Sequence, residues 1–333
     1  RPDRETVLLR VAVGAIALLV LAVPVARLFG VALERGLEGL LQTLSDPAVR
    51  VAIGNTAWTG ALVSVIATTA GTALALITER TAAPGRRWLR LLVALPLVVP
   101  PFVTAFGWGR AFGPRGLTEQ LIGIAIPGLY GPLGIVLVLA VAATPLSYLI
   151  LAAALATRLE PDVERAARVS GADPVTTIRT ITLPLLRPAL VSSLVIGFVF
   201  AVNAFGVPAV LGTPAGFHTV TTRLYQDLAL SADPAAFVRA AVLAATLVLL
   251  AVAVVGAADA LLSARRPTTR TGAPAGGSAA RRGGSVMVTL AGVIVGVAVL
   301  LPIGALVLGA LTRAAGLPPI PANWTLANFA EAI

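Results

Sequence analysis

One repeated feature leaves this chain few folds: apolar runs of about 20 residues or more, each closed by arginine, glycine or proline. A helix needs about 20 mostly apolar residues to cross the hydrocarbon of a bilayer. Inside lipid every backbone N–H and C=O must find a partner within the protein, so runs of this length read as spanning helices. Spans are expected at roughly 8–28, 54–78, 90–112, 132–157, 188–211, 238–263 and 286–312. With 57% apolar and 12% charged residues over 333 positions, the expected class is an all-α polytopic membrane protein. The first run has no small-residue cleavage pattern and is followed by further spans, so no signal peptide is invoked.

The basic residues say which way the chain threads. All 25 are arginine, and they gather at the ends of the apolar runs. The net charge of +10 therefore points to headgroups of the lipid bilayer and not to nucleic acid. Segments on the N-terminal side of the membrane hold 17 arginines and those on the other side hold 8. An excess of this kind marks the cytoplasmic side, so the N-terminus is expected inside.

Several chemistries are excluded by what is missing. The chain has no cysteine, which removes disulfides and thiolate metal sites. Its one histidine, His218, falls in a loop and is read as solvated, so neither metal nor cofactor is expected. Without lysine there is no phosphate-binding P-loop, and one histidine cannot build a zinc-protease cluster or serve a serine nucleophile across the bundle. The chain is expected not to be an enzyme; any energy must come from a separate subunit.

Between two spans lies a polar island, Leu159 to Pro188, with the grammar of two short helices and a bend. Glu160, Pro161 and Asp162 start a helix, since proline's fixed φ suits the first helical position and acids favour the positive end of the dipole. Ala166 and Ala167 keep one surface thin. Gly171 stands where a helix stops in a left-handed residue, and Asp173 with Pro174 caps and opens a second helix. That helix is expected to run to Pro184, with Pro188 starting the next span. Arg158, Arg165, Arg168, Arg179 and Arg187 in or beside the island favour the cytoplasmic side.

The series Glu164, Ala166, Ala167, Gly171, Ile181, Leu183 and Pro184 resembles the cytoplasmic "EAA…G…I-LP" loop of the permease subunits of binding-protein-dependent ABC importers, ferric-iron type among them. One position departs: the family has glutamate directly before the two alanines, where this chain has Arg165. The resemblance implies a type I importer helical bundle in the bacterial inner membrane. It also implies a loop docked on a dimer of ATP-binding subunits, an extracytoplasmic substrate-binding protein, and transport by alternating access. Glu164, Arg165, Ala166, Ala167, Gly171, Asp173, Ile181, Leu183 and Pro184 would then carry the ATPase coupling. Ferric iron is the cargo implied, with phosphonate, thiamine and polyamine importers sharing the loop. A reading from another class is a secondary transporter driven by an ion gradient, for which Asp259 is the nearest intramembrane charge.

Candidate path residues come from helix breakers and amides inside apolar runs. LPLVVPPFV holds Pro96, Pro100 and Pro101, so the third span is expected to kink, either beside a path or for structural reasons alone. Pro145 is expected to interrupt the fourth span. Asn203, with Gly206 and Pro208 behind it, either lines a path or bonds between helices. The loop over 212–238 carries Thr-Thr-Arg-Leu-Tyr-Gln and then Asp233-Pro234; it resembles the same loop of ferric-iron and phosphonate permeases and is a candidate contact for a binding protein.

The opening of the chain recurs near its end. Leu21-Ala22-Val23-Pro24-Val25 answers Leu300-Leu301-Pro302-Ile303 in order and topology, with the prolines offset by 278. The expected organisation is a first helix and external segment over 1–50, a permease core over 51–266 holding the loop 159–188, and a flexible linker over 267–284. The stretch 285–333 is expected to be the first helix of a second, truncated unit, with a natural seventh helix as the alternative.

Overall fold

The computed structural model describes residues 4–81, 83–158, 166–167, 169–263, 284–314 and 317–330. The linker, and the start of the polar island with Glu164 and Arg165, lie outside the described residues. The elements, in order, are α1 (Arg4–Ala32), α2 (Gly36–Ser45), α3 (Pro47–Arg80), α4 (Arg86–Ala94), α5 (Pro101–Phe112) and α6 (Leu117–Ile122). They continue with α7 (Pro132–Arg158), α8 (Pro174–Val202), α9 (Val220–Tyr225), α10 (Ala236–Ser263), α11 (Gly284–Leu311) and α12 (Ala327–Ala330). Among the described residues the only β feature is an isolated bridge between Thr312 and Trp324. Among the described residues six helices are long and apolar enough to cross a membrane, or seven if the bent pair described next is one span.

Three expected spans need correction. The one placed at 90–112 breaks at Pro100, and the segments Arg86–Leu97 and Pro101–Ile122 meet at 107°. Pro101 disfavours the helical region for its predecessor, and Pro100 sits at φ −56°, ψ 137°. Pro145 does not interrupt its span: α7 runs unbroken from Pro132 to Arg158 with Pro145 inside it. The island's second helix does not stop before Pro188 either. It continues as α8 for 29 residues to Val202, carrying Pro184 and Pro188 within it. The accommodation is a single wide turn, Ile178–Thr182, in which the Leu183 N–H donates to the Ile178 carbonyl. Widening one turn makes room for the Pro184 ring and costs fewer backbone bonds than unwinding the helix would.

The chain packs as two units, Thr56–His218 with Ala253–Ile333, and Arg1–Asn55 with Thr219–Val252. In the first, one buried cluster joins Val63 and Ala67 of α3, Trp108 and Phe112 of α5, Ile135 and Leu139 of α7, and Ala305 of α11. A second joins Leu74 of α3, Leu89 and Val93 of α4, Tyr148 and Leu151 of α7, Leu186 of α8 and Val288 of α11. Lipid is as apolar as leucine, so close approach and internal hydrogen bonds do the holding. A Cβ added at Gly71 would lie 2.6 Å from Ser147 Cβ and 2.7 Å from the Tyr148 nitrogen, and one at Gly107 2.9 Å from the Pro302 carbonyl oxygen. Thr68 and Ser193 share a buried hydrogen bond of 3.0 Å between α3 and α8. In the other unit, Leu28, Phe29 and Ala32 of α1 cluster with Leu40 and Leu44 of α2 and Ala241, Val242 and Ala245 of α10.

Candidate coupling segment and path

The bend in the polar island is built by its own neighbours. Ala166, Ala167 and Val169 are helical, and Gly171 takes φ +88°, the left-handed region open to glycine. The Ala172 N–H donates to the Ala167 carbonyl at 3.0 Å, the six-to-one bond of a glycine-terminated helix end. Asp173 then caps α8: the Thr176 N–H donates to its Oδ1 at 3.0 Å, and Pro174 fills the first helical position. Hydrogen bonds from Thr176, its hydroxyl first and its backbone N–H second, hold the Asp173 carboxyl below the usual carboxylate range.

Exposure changes sign along the next turns. Ala166, Val169, Gly171, Asp173 and Val175 are exposed, Val169 at 90%. Thr177 and Thr182 are buried, Ile181, Leu183 and Pro184 are half-buried, and Leu186 is fully buried in the cluster with Leu151 and Leu155. An exposed bend is thus attached to a helix whose root is clamped in the bundle. Of the nine expected coupling residues, the seven that are described lie along this one stretch.

The far end of α8 carries the candidate path residues. The helix stops at Val202, and the Asn203 amide turns back to donate to the Val199 carbonyl at 2.8 Å. Asn203 is exposed and Pro208 buried; after Asn203 the chain is irregular until Gly206, and a wide turn follows over Pro208–Gly212. Gly206 packs on Phe102: an added Cβ would stand 2.5 Å from Phe102 Cβ. Phe102 follows Pro100 and Pro101 directly, so two helix breaks about a hundred residues apart in sequence meet at one place. Phe102 gave no signal of this in sequence, because a single aromatic in an apolar run is ordinary.

A polar knot also escaped the sequence reading. The Thr78 hydroxyl lies 3.2 Å from the Tyr148 hydroxyl and 3.1 Å from Glu79 Oε1, while Arg90 Nη2 donates to Glu79 Oε2 at 2.9 Å and to the Thr78 carbonyl at 3.3 Å. The knot ties the end of α3 to α4 and α7. Its one legible trace was an acid and an arginine eleven residues apart at the edge of two apolar runs. In the other unit, Arg239 at the start of α10 pairs with buried Asp227 at 3.1 Å and with Asp233, closing the loop before it. Among the described residues no three His, Cys, Asp or Glu side chains are grouped so as to hold a metal ion.

Known proteins resemble this chain over most of its length. The ferric transport system permease protein FbpB of Actinobacillus pleuropneumoniae is 31% identical over 193 residues, which is 56% of this chain and 28% of that protein. This chain therefore spans less than a third of that relative. The molybdenum transport system permease protein ModB of Mycobacterium tuberculosis is 31% identical over 218 residues, 64% of this chain and 81% of the relative. In three dimensions the crystal structure of a bacterial ABC transporter involved in the import of the acidic polysaccharide alginate matches with a TM-score of 0.63 at 20% identity, covering 78% of this chain and 95% of that one. The fold is that of an ABC transporter permease. Residues 67–266 match the family described as "Binding-protein-dependent transport system inner membrane component", and the chain belongs to that family.

Proposed function

We propose that this chain forms the substrate path of an ATP-driven importer and passes the motion of a separate ATP-hydrolysing subunit into it. The observation that carries the reading is the continuity of α8. One helix of 29 residues, about 43 Å long, has the exposed Gly171 bend before its first turn and Asn203 at its last. A push on the bend moves a rigid rod whose other end abuts the junction of Asn203, Gly206 and Phe102. Glu164 and Arg165 share the coupling role, the N-terminus is cytoplasmic, and a substrate-binding protein delivers cargo from the opposite side of the membrane. Residues 285–333 begin a second permease unit.

Ferric iron is the first cargo to test, as the Actinobacillus relative is named for it. Molybdenum is the second, because an equally identical relative is matched over far more of its length. The chain has no cysteine, so Ala166→Cys introduces a unique thiol at an exposed position of the bend. In inner-membrane vesicles holding the whole transporter, that thiol is expected to cross-link to the ATP-binding subunit and to resist an impermeant maleimide applied from the periplasmic side. Capture of no nucleotide-hydrolysing protein, or labelling from the periplasm, refutes the assignment.

A further inference from the structure

We propose that the groove between α4 and α11 holds an acyl chain of an anionic phospholipid, with the lipid phosphate resting on Arg86 and Arg87. The groove has a volume of about 490 Å³ and is lined by Trp88, Leu91, Leu92, Leu95, Val288 and Gly292. Glycines make it. Gly85 opens α4 at φ +86°, with Val288 3.6 Å from where its Cβ would be, so the two helices meet at that end. Gly292 has nothing within 4 Å of the Cβ it lacks, leaving the space beside it open. Trp88 is 74% exposed and Leu91 56%, so the lining faces outward.

Length and charge select the occupant. From Gly85 to Leu95 the groove follows a helical rise of about 15 Å, the depth of one leaflet's hydrocarbon. Its charged end is the Gly85 end. There Arg90 is taken by Glu79 at 2.9 Å, and Arg86 spends one nitrogen, Nη1, on the Thr81 carbonyl at 3.0 Å. Arg87 is exposed and has no ion pair among the described residues. Arg281 and Arg282 stand just before α11 in the sequence. Trp88 follows Arg87 directly and is the lining residue nearest the arginines in the chain, and tryptophan is enriched at membrane interfaces. A pair of guanidinium groups with no ion pair among the described residues, next in the chain to the Gly85 end of the slot, fits a headgroup of net negative charge; a zwitterionic headgroup would bring its own cation against them.

The test is tryptophan quenching in vesicles. The full chain is reconstituted in phosphatidylcholine containing a minor fraction of either phosphatidylglycerol or phosphatidylcholine brominated on the acyl chains, and Trp88 emission is taken as wild type minus Trp88→Phe. Brominated phosphatidylglycerol is expected to quench Trp88 with an apparent affinity at least about fivefold above brominated phosphatidylcholine. Unbrominated phosphatidylglycerol should relieve that quenching while phosphatidylethanolamine does not. Arg86→Gln with Arg87→Gln should erase the preference, and Gly292→Leu should lower quenching by both lipids. Equal quenching by the two lipids in the wild type overturns the proposal. So does Trp88 emission that neither lipid touches, which would mean that protein covers the groove.

Discussion

The bend at Gly171 and the junction at Gly206 are both places where a glycine interrupts helix, and they are made in opposite ways. Around Gly171 the hydrogen bonds among the described residues span three to five residues, and nothing lies within 4 Å of the position its Cβ would take. At Gly206 the missing Cβ is what lets Phe102 in, at 2.5 Å, from an element of the chain far away in sequence. The first is an exposed device that local chemistry can alter without repacking anything. The second is a packed joint in which two helix breaks must move together.

Substitutions can break that contrast, beginning with the largest effect. Gly206→Val should drive a branched side chain into Phe102 and destabilise the protein by about 1–3 kcal/mol, read as a lower melting temperature of the purified chain. Adding Phe102→Ala should restore part of the loss; a wild-type melting temperature for Gly206→Val alone would show that the joint is not packed. Gly171→Val should cost less, about 1–2 kcal/mol of left-handed strain with no clash, and leave membrane insertion intact. Its effect should appear in function, as loss of the ATP hydrolysis stimulated by loaded binding protein. Undiminished stimulation would separate the bend from coupling.

The smallest effect belongs to the Asp173 cap. Its carboxyl is held below the ordinary range, so its bond to Thr176 is fully present above that range and is lost as pH falls through the lowered value. The Thr176 amide resonance should therefore titrate with a midpoint below that of an ordinary aspartate, and Asp173→Asn should remove the titration. A midpoint at the usual value would mean that the cap does not favour the charged form.

Much of this molecule is legible in its residues alone, and particular residues show where legibility ends. The bend at Gly171, the cap at Asp173 and the proline opening at Pro174 were all readable, because each depends on dihedral preference and bonds within one turn. Apolar length alone located most of the long helices. Proline was the least faithful guide. Pro100 and Pro101 produce a 107° break, whereas Pro145, Pro184 and Pro188 lie inside intact helices. The residue type is the same in each case, and the neighbours that can take up its lost hydrogen bond are not.

By itself the sequence determined that the chain is a bundle of membrane-length helices, that its arginines edge those helices, and that a capped bend interrupts them at Gly171. These follow from forces that act over a few residues or on composition alone. Only the tertiary structure decided that α8 is one rod from the bend to Asn203, that Gly206 seats Phe102, and that Pro302 of α11 closes on Gly107 while the otherwise similar α1 leaves its apolar stretch exposed. Each of these depends on where a missing side chain lets one backbone approach another, and that distance is set by the partner helix, which no local pattern specifies.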